Sequence, residues 1–308
     1  MGKLTGYAFL VLVSMSCSTL PQTFSGYKEK YVTSGLTKAD RIGVTGNLQE
    51  TMFGLSVHLG DIPPFIADYA WNMPVHLEDG VWSGEHPLYM MPGQRLRAYA
   101  YLPYTETSGS DGIMGISAPG EEPVIFYNAP ADAEKHIDIM VASDIIRNDD
   151  AFSLNFSHIL SGLKFIAGKE FADGGHIDNI LVQGAAGTGS YNMASRKWST
   201  GDDTGTFLMS GINFPSDAAA TPGEFITDAS FLFPPQTFSM DSGAAIIIKM
   251  TDNGRIISGR IPLDGVSWEA GKRYTYAISY SGGRVSASMT ESFQDWGSYD
   301  MDDRDIHM

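Results

Sequence analysis

Residues 268–296 read WEAGKRYTYAISYSGGRVSASMTESFQDW. Tyr274, Tyr276, Ile278 and Tyr280 fall on every second position, with Thr275, Ala277 and Ser279 between them. That is the two-residue period of a strand with one buried face. Ser281, Gly282 and Gly283 supply the positive φ that a tight turn requires, and Val285, Ala287 and Met289 resume the alternation beyond it. The stretch predicts a β-hairpin. Trp268 and Trp296 bracket it as large apolar residues suited to a core rather than to a ligand platform.

Outward from this hairpin the composition agrees. A chain of 308 residues is too long for one sandwich and suits two domains. Only 18% of residues are charged, and 34 Gly with 15 Pro provide many turns, which favours short strands over helices. The net charge is −16, from 36 acids against 20 bases. Phosphate binding rests on clustered Lys and Arg, so nucleic acid and an anionic membrane face are both excluded as partners.

At the start, one early charge at Lys3 precedes an apolar run at 7–13, then Ser14, Met15, Ser16 and Cys17. The run is too short to span a bilayer and has the layout of a secretory signal. Cys17 is the sole cysteine, so no disulfide forms within the chain. Residues 18–30 are polar and read as a linker. Strand runs follow at 41–44 and 52–59. Pro63, Pro64 and Pro74 mark 62–82 as an irregular or edge element. In 95–102, Arg97, Tyr99 and Tyr101 alternate with Leu96, Ala98 and Ala100, as in a central strand, and 124–127 and 137–141 come next.

The second half opens on the alternation of Phe152, Leu154, Phe156 and His158. Further runs lie at 177–183, 191–198 and 224–233. Runs at 244–250 and 255–262 flank Asn253-Gly254, the strongest short hairpin signal. The expected fold is all-β, a pair of antiparallel sandwiches at 31–150 and 151–297. They follow a signal at 1–17 and a linker at 18–30, and an acidic tail at 298–308 ends the chain.

No catalytic constellation stands out. Histidines 58, 76, 86, 136, 158, 176 and 307 have no metal-ligand spacing, so neither a metal nor a cofactor is expected. His158 shares its side with apolar residues and reads as a hydrogen-bonded core residue. Gly184, Gly187 and Gly189 lack nucleotide-loop spacing and read as a loop. Asp300, Asp302, Asp303 and Asp305 lack the Gly and Glu of a calcium loop and read as a solvated tail. No pair of carboxylates stands out for glycoside hydrolysis.

The run Trp268-x-x-Gly271-Lys272-x-Tyr274-x-Tyr276 resembles the fimbrillin (major and minor fimbria-like) proteins of Bacteroides-type bacteria. Further segments resemble the same family in the same order: KADRIGVTG at 38–46, GQRLRAYAYLPY at 93–104, NFSHILSGLKFIA at 155–167, GSYNMASRKW at 189–198 and FLFPPQTFS at 231–239. The resemblance implies two tandem Greek-key, transthyretin-like sandwiches and no active site. It implies a fimbrial subunit or adhesin that assembles with other subunits by strand donation, after a protease removes an early strand. Lys30, Lys38 and Arg41 are the basic residues near such a cut.

Cys17 resembles a bacterial lipoprotein site, which makes a lipid anchor at the outer membrane the only membrane contact. Ser14 stands where such sites usually carry Leu, and the alternative is an ordinary secretory signal cut elsewhere. The tail holds four Asp without an alternating register and makes a poor donor strand. A tip or accessory position is therefore expected rather than a shaft. The alternative function is a surface glycan-binding lipoprotein, with Trp71, Trp82 or Tyr89 as stacking platforms.

Overall fold

The computed structural model of the chain describes residues 28–30, 33–34, 52–59, 70–78, 81–86, 88–90, 93–147, 153–171, 175–215, 221–289 and 294–295. They form β-strands, turns and one short 3-10 helix, Ala133–Lys135. A six-stranded antiparallel sheet lies in the order Ser157–His158, Met140–Arg147, Arg95–Leu102, Met52–Leu59, Ala70–Glu78, Val81–Gly84. Arg95–Leu102 is central, as its alternation predicts. Its Leu96, Ala98 and Ala100 join Phe53, Leu55 and Val57 in one buried cluster, while Tyr99 and Tyr101 belong to a second. The sheet is therefore covered on both faces, and neither could be told from solvent by polarity alone.

The sequence predicts an irregular or edge element around Pro74, yet Ala70–Glu78 is a nine-residue interior strand. Pro74 is tolerated because its backbone faces the end of the Val81–Gly84 ladder. There its C=O accepts the Glu85 N–H (3.2 Å), and the missing donor breaks no bond to Met52–Leu59. Opposite, Gly54 leaves room for the Tyr101 ring, which a Cβ would strike.

The second half holds two five-stranded sheets. One runs Phe231–Phe233, Ser161–Phe171, Lys272–Ser281, Arg284–Met289, with Gln294–Asp295 also on Lys272–Ser281. The other runs Thr204–Met209, Gly175–Ala186, Ala245–Asp252, Arg255–Pro262, with Phe214–Pro215 on Gly175–Ala186. Tyr274, Tyr276, Ile278 and Tyr280 are all buried, and Gly282 (φ 60°) and Gly283 (φ 74°) make the turn. Asn253 (φ 47°) and Gly254 (φ 76°) turn the other hairpin, the geometry of a type I′ turn. Two pairings differ from the antiparallel expectation: Ser161–Phe171 runs parallel to Lys272–Ser281, and the short Thr33–Ser34 runs parallel to Ser153–Leu154. Strand direction between segments a hundred residues apart has no local signal.

A four-stranded sheet, Lys197–Thr200, Thr188–Asn192, Val124–Asn128, Met114–Ile116, draws strands from both sides of residue 150. The larger buried cluster likewise extends from Tyr99 to Tyr280. Trp198 Nε1–H donates to the Ile159 C=O (2.7 Å) and Arg196 to Ser143 Oγ (3.1 Å), holding this sheet to its neighbours.

Other expectations shift in detail. The run at 152–158 is not one strand but two short pieces, Ser153–Leu154 and Ser157–His158, although Leu154, Phe156 and His158 are buried as the alternation requires. The strand expected at 137–141 begins at Met140 and extends to Arg147. Gly184 and Gly189 lie in strands rather than a loop. Gly184 (φ 79°) sits where the register slips between Gln183 and Ala185, a β-bulge. The last residues of the expected linker, Lys28–Lys30, pair with Leu88–Met90, and Thr33–Ser34 pairs in parallel with Ser153–Leu154.

Candidate functional site

The two sheets of the second half each end in an edge strand on either side, and the two sides differ in what covers them. On one side the edges are Phe231–Phe233 and Thr204–Met209, and the segment 127–136 closes both. Asp132 caps the short helix Ala133–Lys135, its Oδ1 accepting the Glu134 N–H (3.1 Å), which delivers His136 to the sheet. His136 Nδ1 accepts the Leu232 N–H (2.9 Å), and its Nε2–H donates to the Pro130 C=O (2.8 Å), the tautomer that these two partners require. The Tyr127 hydroxyl donates to the Leu232 C=O (3.2 Å), and the Leu208 N–H to the Ala131 C=O (2.7 Å). Side chains and one carbonyl thus stand in for a neighbouring strand.

Phe207, Phe231 and Phe233 meet the His136 ring edge-on at 5.6 to 6.0 Å. Burial among them pushes the His136 pKa below its ordinary 6.5, against the raising effect of its backbone partners and Asp132. Burial pushes the Tyr127 pKa up, and the nearby Asp138 adds to that.

On the other side the edges are Arg255–Pro262 and Arg284–Met289, and among the described residues no strand pairs with their outer flanks. The two sheets pinch together here. A Cβ on Gly259 would lie 2.7 Å from Val285 Cβ, so only glycine admits this approach. Tyr280 donates its hydroxyl to Asp252, tying the tips of the two hairpins. Ile256 is 80% exposed and Met289 41%.

The residues singled out from sequence scatter. Cys17, Lys38, Arg41 and the tail aspartates lie outside the described residues. Lys30 pairs with Leu88 at the end of its short strand. Trp71 is half-buried against the larger cluster, 6.0 Å from the His58 ring, and Trp82 and Tyr89 lie in Val81–Gly84 and Leu88–Met90 with side chains outside the described set. His158 is buried and has a partner that sequence could not show: Asp138 Oδ2 lies 2.7 Å from its Nδ1. Among the described residues no group of three His, Cys, Asp or Glu is placed to hold a metal, and no helix is long and apolar enough to cross a membrane.

Two features went unread in the sequence. Lys164 is buried, donates to the Asp228 C=O and sits 5.4 Å from the Phe225 ring. Burial, with Arg273 adding to it, draws its pKa from 10.5 to about 8. Gln236 occupies the Pro-Pro-Gln-Thr segment, and its side-chain amide accepts the Ala186 N–H (2.8 Å) and donates to the Ala186 C=O (3.0 Å). It borders a polar cleft of about 850 Å³ that Thr200, Asp202, Ser242 and Ser267 also line.

The fold is similar to two crystal structures of candidate cell adhesion proteins. One is from Bacteroides ovatus ATCC 8483, with TM-score 0.60 and 18% identity, covering 86% of this chain and 96% of that one. The other is from Bacteroides uniformis ATCC 8492, with TM-score 0.58 and 18% identity, covering 90% and 100%. A comparison with curated proteins gave no match. The fimbrillin-like family model matches residues 30–296, covering both sheet systems and the segment that closes the sealed edges, and the chain belongs to the fimbrillin-like family.

Proposed function

We propose that the chain is a subunit of a surface fimbrium, or an adhesin associated with one, and acts as a structural protein without catalysis. The family match over residues 30–296 carries this reading, and the two similar folds, from candidate cell adhesion proteins, add to it. Assembly would proceed by strand exchange between subunits, in which backbone hydrogen bonds and alternate side chains of an added strand complete a sheet. Two short early pairings, Lys28–Lys30 on Leu88–Met90 and Thr33–Ser34 on Ser153–Leu154, support a processing step. Cleavage at Lys38 or Arg41 would detach both from the rest of the chain, and cleavage at Lys30 only the first. Leu88 and Leu154 belong to the smaller buried cluster and would then lose part of their cover.

Export as a lipoprotein anchored through Cys17, a division into two sandwiches near residue 150 and a tip or accessory position complete the proposal. Trypsin treatment of the purified protein, mixed with a shaft subunit of the family, should yield short SDS-resistant complexes. Long ladders from this chain alone, lost on deleting residues 297–308, would make it a shaft subunit instead. Cys17→Ser should move the protein to the soluble fraction with its fold intact, and membrane association that survives would remove the anchor. The glycan-binding alternative keeps Trp71, Trp82 and Tyr89 as its stacking platforms, and the polar cleft beside Gln236 offers it a further place. Calorimetric titration with an oligosaccharide panel, repeated with Asp202→Ala, tests it.

A further inference from the structure

We infer that the Arg255–Pro262 edge is an acceptor for an extended, acidic strand of another subunit. The inference rests on the reading of the chain as an assembling subunit, and it names the edge and the chemistry of what fits there. Three independent observations carry it.

The first is the backbone. With the turn at Asn253-Gly254, Asp252 and Arg255 form a hydrogen-bonded pair, and such pairs alternate up the ladder through Met250–Ile257 and Ile248–Gly259. The N–H and C=O groups of Ile256, Ser258 and Arg260 therefore point outward, along a flank with no paired strand among the described residues. The opposite edges of the same two sheets have such outward groups at Leu208 and Leu232, and there residues 127–136 satisfy them.

The second is the floor beneath that flank. Val285, Ala287 and Met289 pair with Tyr280, Ile278 and Tyr276 and share their inward face, yet Val285 and Ala287 are only half-buried and Met289 is exposed. Arg255–Pro262 is the last strand of its sheet, so it covers this apolar row only in part. One more strand beside it would set alternate side chains onto Ala287 and Met289.

The third is charge. Arg255–Pro262 (RIISGRIP) and Arg284–Met289 (RVSASM) together hold Arg255, Arg260 and Arg284 and no acid, in a chain whose acids outnumber its bases 36 to 20. Basic residues on an edge also serve to discourage pairing. Here they select instead, repelling a basic strand and favouring one with carboxylates on its outward face, beside Ser258 and Arg260. The fitting segment alternates small or apolar residues with acids.

The probe is a synthetic peptide that alternates Val with Asp and Thr, with a scrambled peptide of equal composition as control. It is titrated by fluorescence anisotropy into the full chain. The alternating peptide should bind, the scrambled one should not, and about 0.5 M salt should weaken binding. Ser258→Pro removes an outward N–H without breaking the ladder to Ala245–Asp252, so it should weaken binding about tenfold at unchanged Tm. Arg255→Glu with Arg260→Glu, both exposed positions, should do the same by charge and covers the case in which the proline variant does not fold. Amide exchange at Ile256, Ser258 and Arg260 should slow when peptide is bound. Failure of the parent to prefer the alternating peptide, or equal binding by the variants, overturns the edge. Trypsin-treated subunit assembly, run alongside, separates the two readings: assembly undiminished by Ser258→Pro rejects this edge and leaves the subunit reading standing.

Discussion

The two sides of the second half's sheets are built from similar strands and finished in opposite ways. On the sealed side, Leu208 and Leu232 spend their outward backbone groups on Ala131, His136 and Tyr127, and Phe207, Phe231 and Phe233 pack around the imidazole. On the other, Arg255–Pro262 and Arg284–Met289 end in exposed side chains and a glycine contact. An exposed edge strand invites pairing with another chain unless something blunts it. One side is closed by a covering segment; the other carries arginines and, among the described residues, has no strand on its outer flank, which leaves its backbone available to a partner.

The largest test of that contrast is truncation of the aromatic packing. Phe233 lies 4.8 Å from Phe207 and 5.5 Å from Trp268, ring to ring. Phe233→Ala should cost about 3–5 kcal/mol in urea unfolding. Met289→Ala, on the open side, should cost less than about 1 kcal/mol by the area it buries. Equal losses would mean that the open edge is packed as tightly as the sealed one.

His136→Phe comes next. It keeps the ring but leaves the Leu232 N–H without an acceptor, and should cost about 1–3 kcal/mol at about pH 8. The pH dependence sharpens it. The folded-state pKa of His136 lies below the unfolded value near 6.5, so the stability it contributes is complete above 6.5 and is lost as pH falls toward the folded pKa. Between about pH 7 and pH 5 the parent should lose stability more steeply than His136→Phe, measured by urea unfolding at each pH. Parallel profiles would mean that the imidazole does not hold the seal.

Gly259→Val should be comparable or slightly smaller, about 1–3 kcal/mol, because its side chain would meet Val285. An unchanged midpoint would show that the two sheets do not pinch at this point. The smallest effect belongs to Ile256→Ser. An 80% exposed side chain should move stability by no more than about 0.5 kcal/mol, and a larger loss would mean that the edge is already covered.

Patterns that repeat within ten residues are legible in the sequence itself. The alternation at 274–280, both hairpin turns, the buried Trp268 and the strand at 95–102 follow from local backbone period and side-chain type, and the structure shows them in place. The family segments were legible for the same reason, being short motifs with fixed spacing. Pro74 was misread because a proline's effect depends on which way its missing N–H would point, and that is settled by the neighbouring strand's end at Glu85.

What only the tertiary structure decided is where distant groups meet. Asp138 beside His158, the parallel pairing of Ser161–Phe171 with Lys272–Ser281, and the reach of His136 to Leu232, 96 residues away, leave no trace in sequence spacing. A His after one short helical turn looks the same whether it seals a strand or faces water. The edge left without a pairing strand among the described residues was equally hidden. Whether an amphipathic strand is interior or terminal depends on how many strands lie beside it, and periodicity records only which face is buried, never which flank is paired.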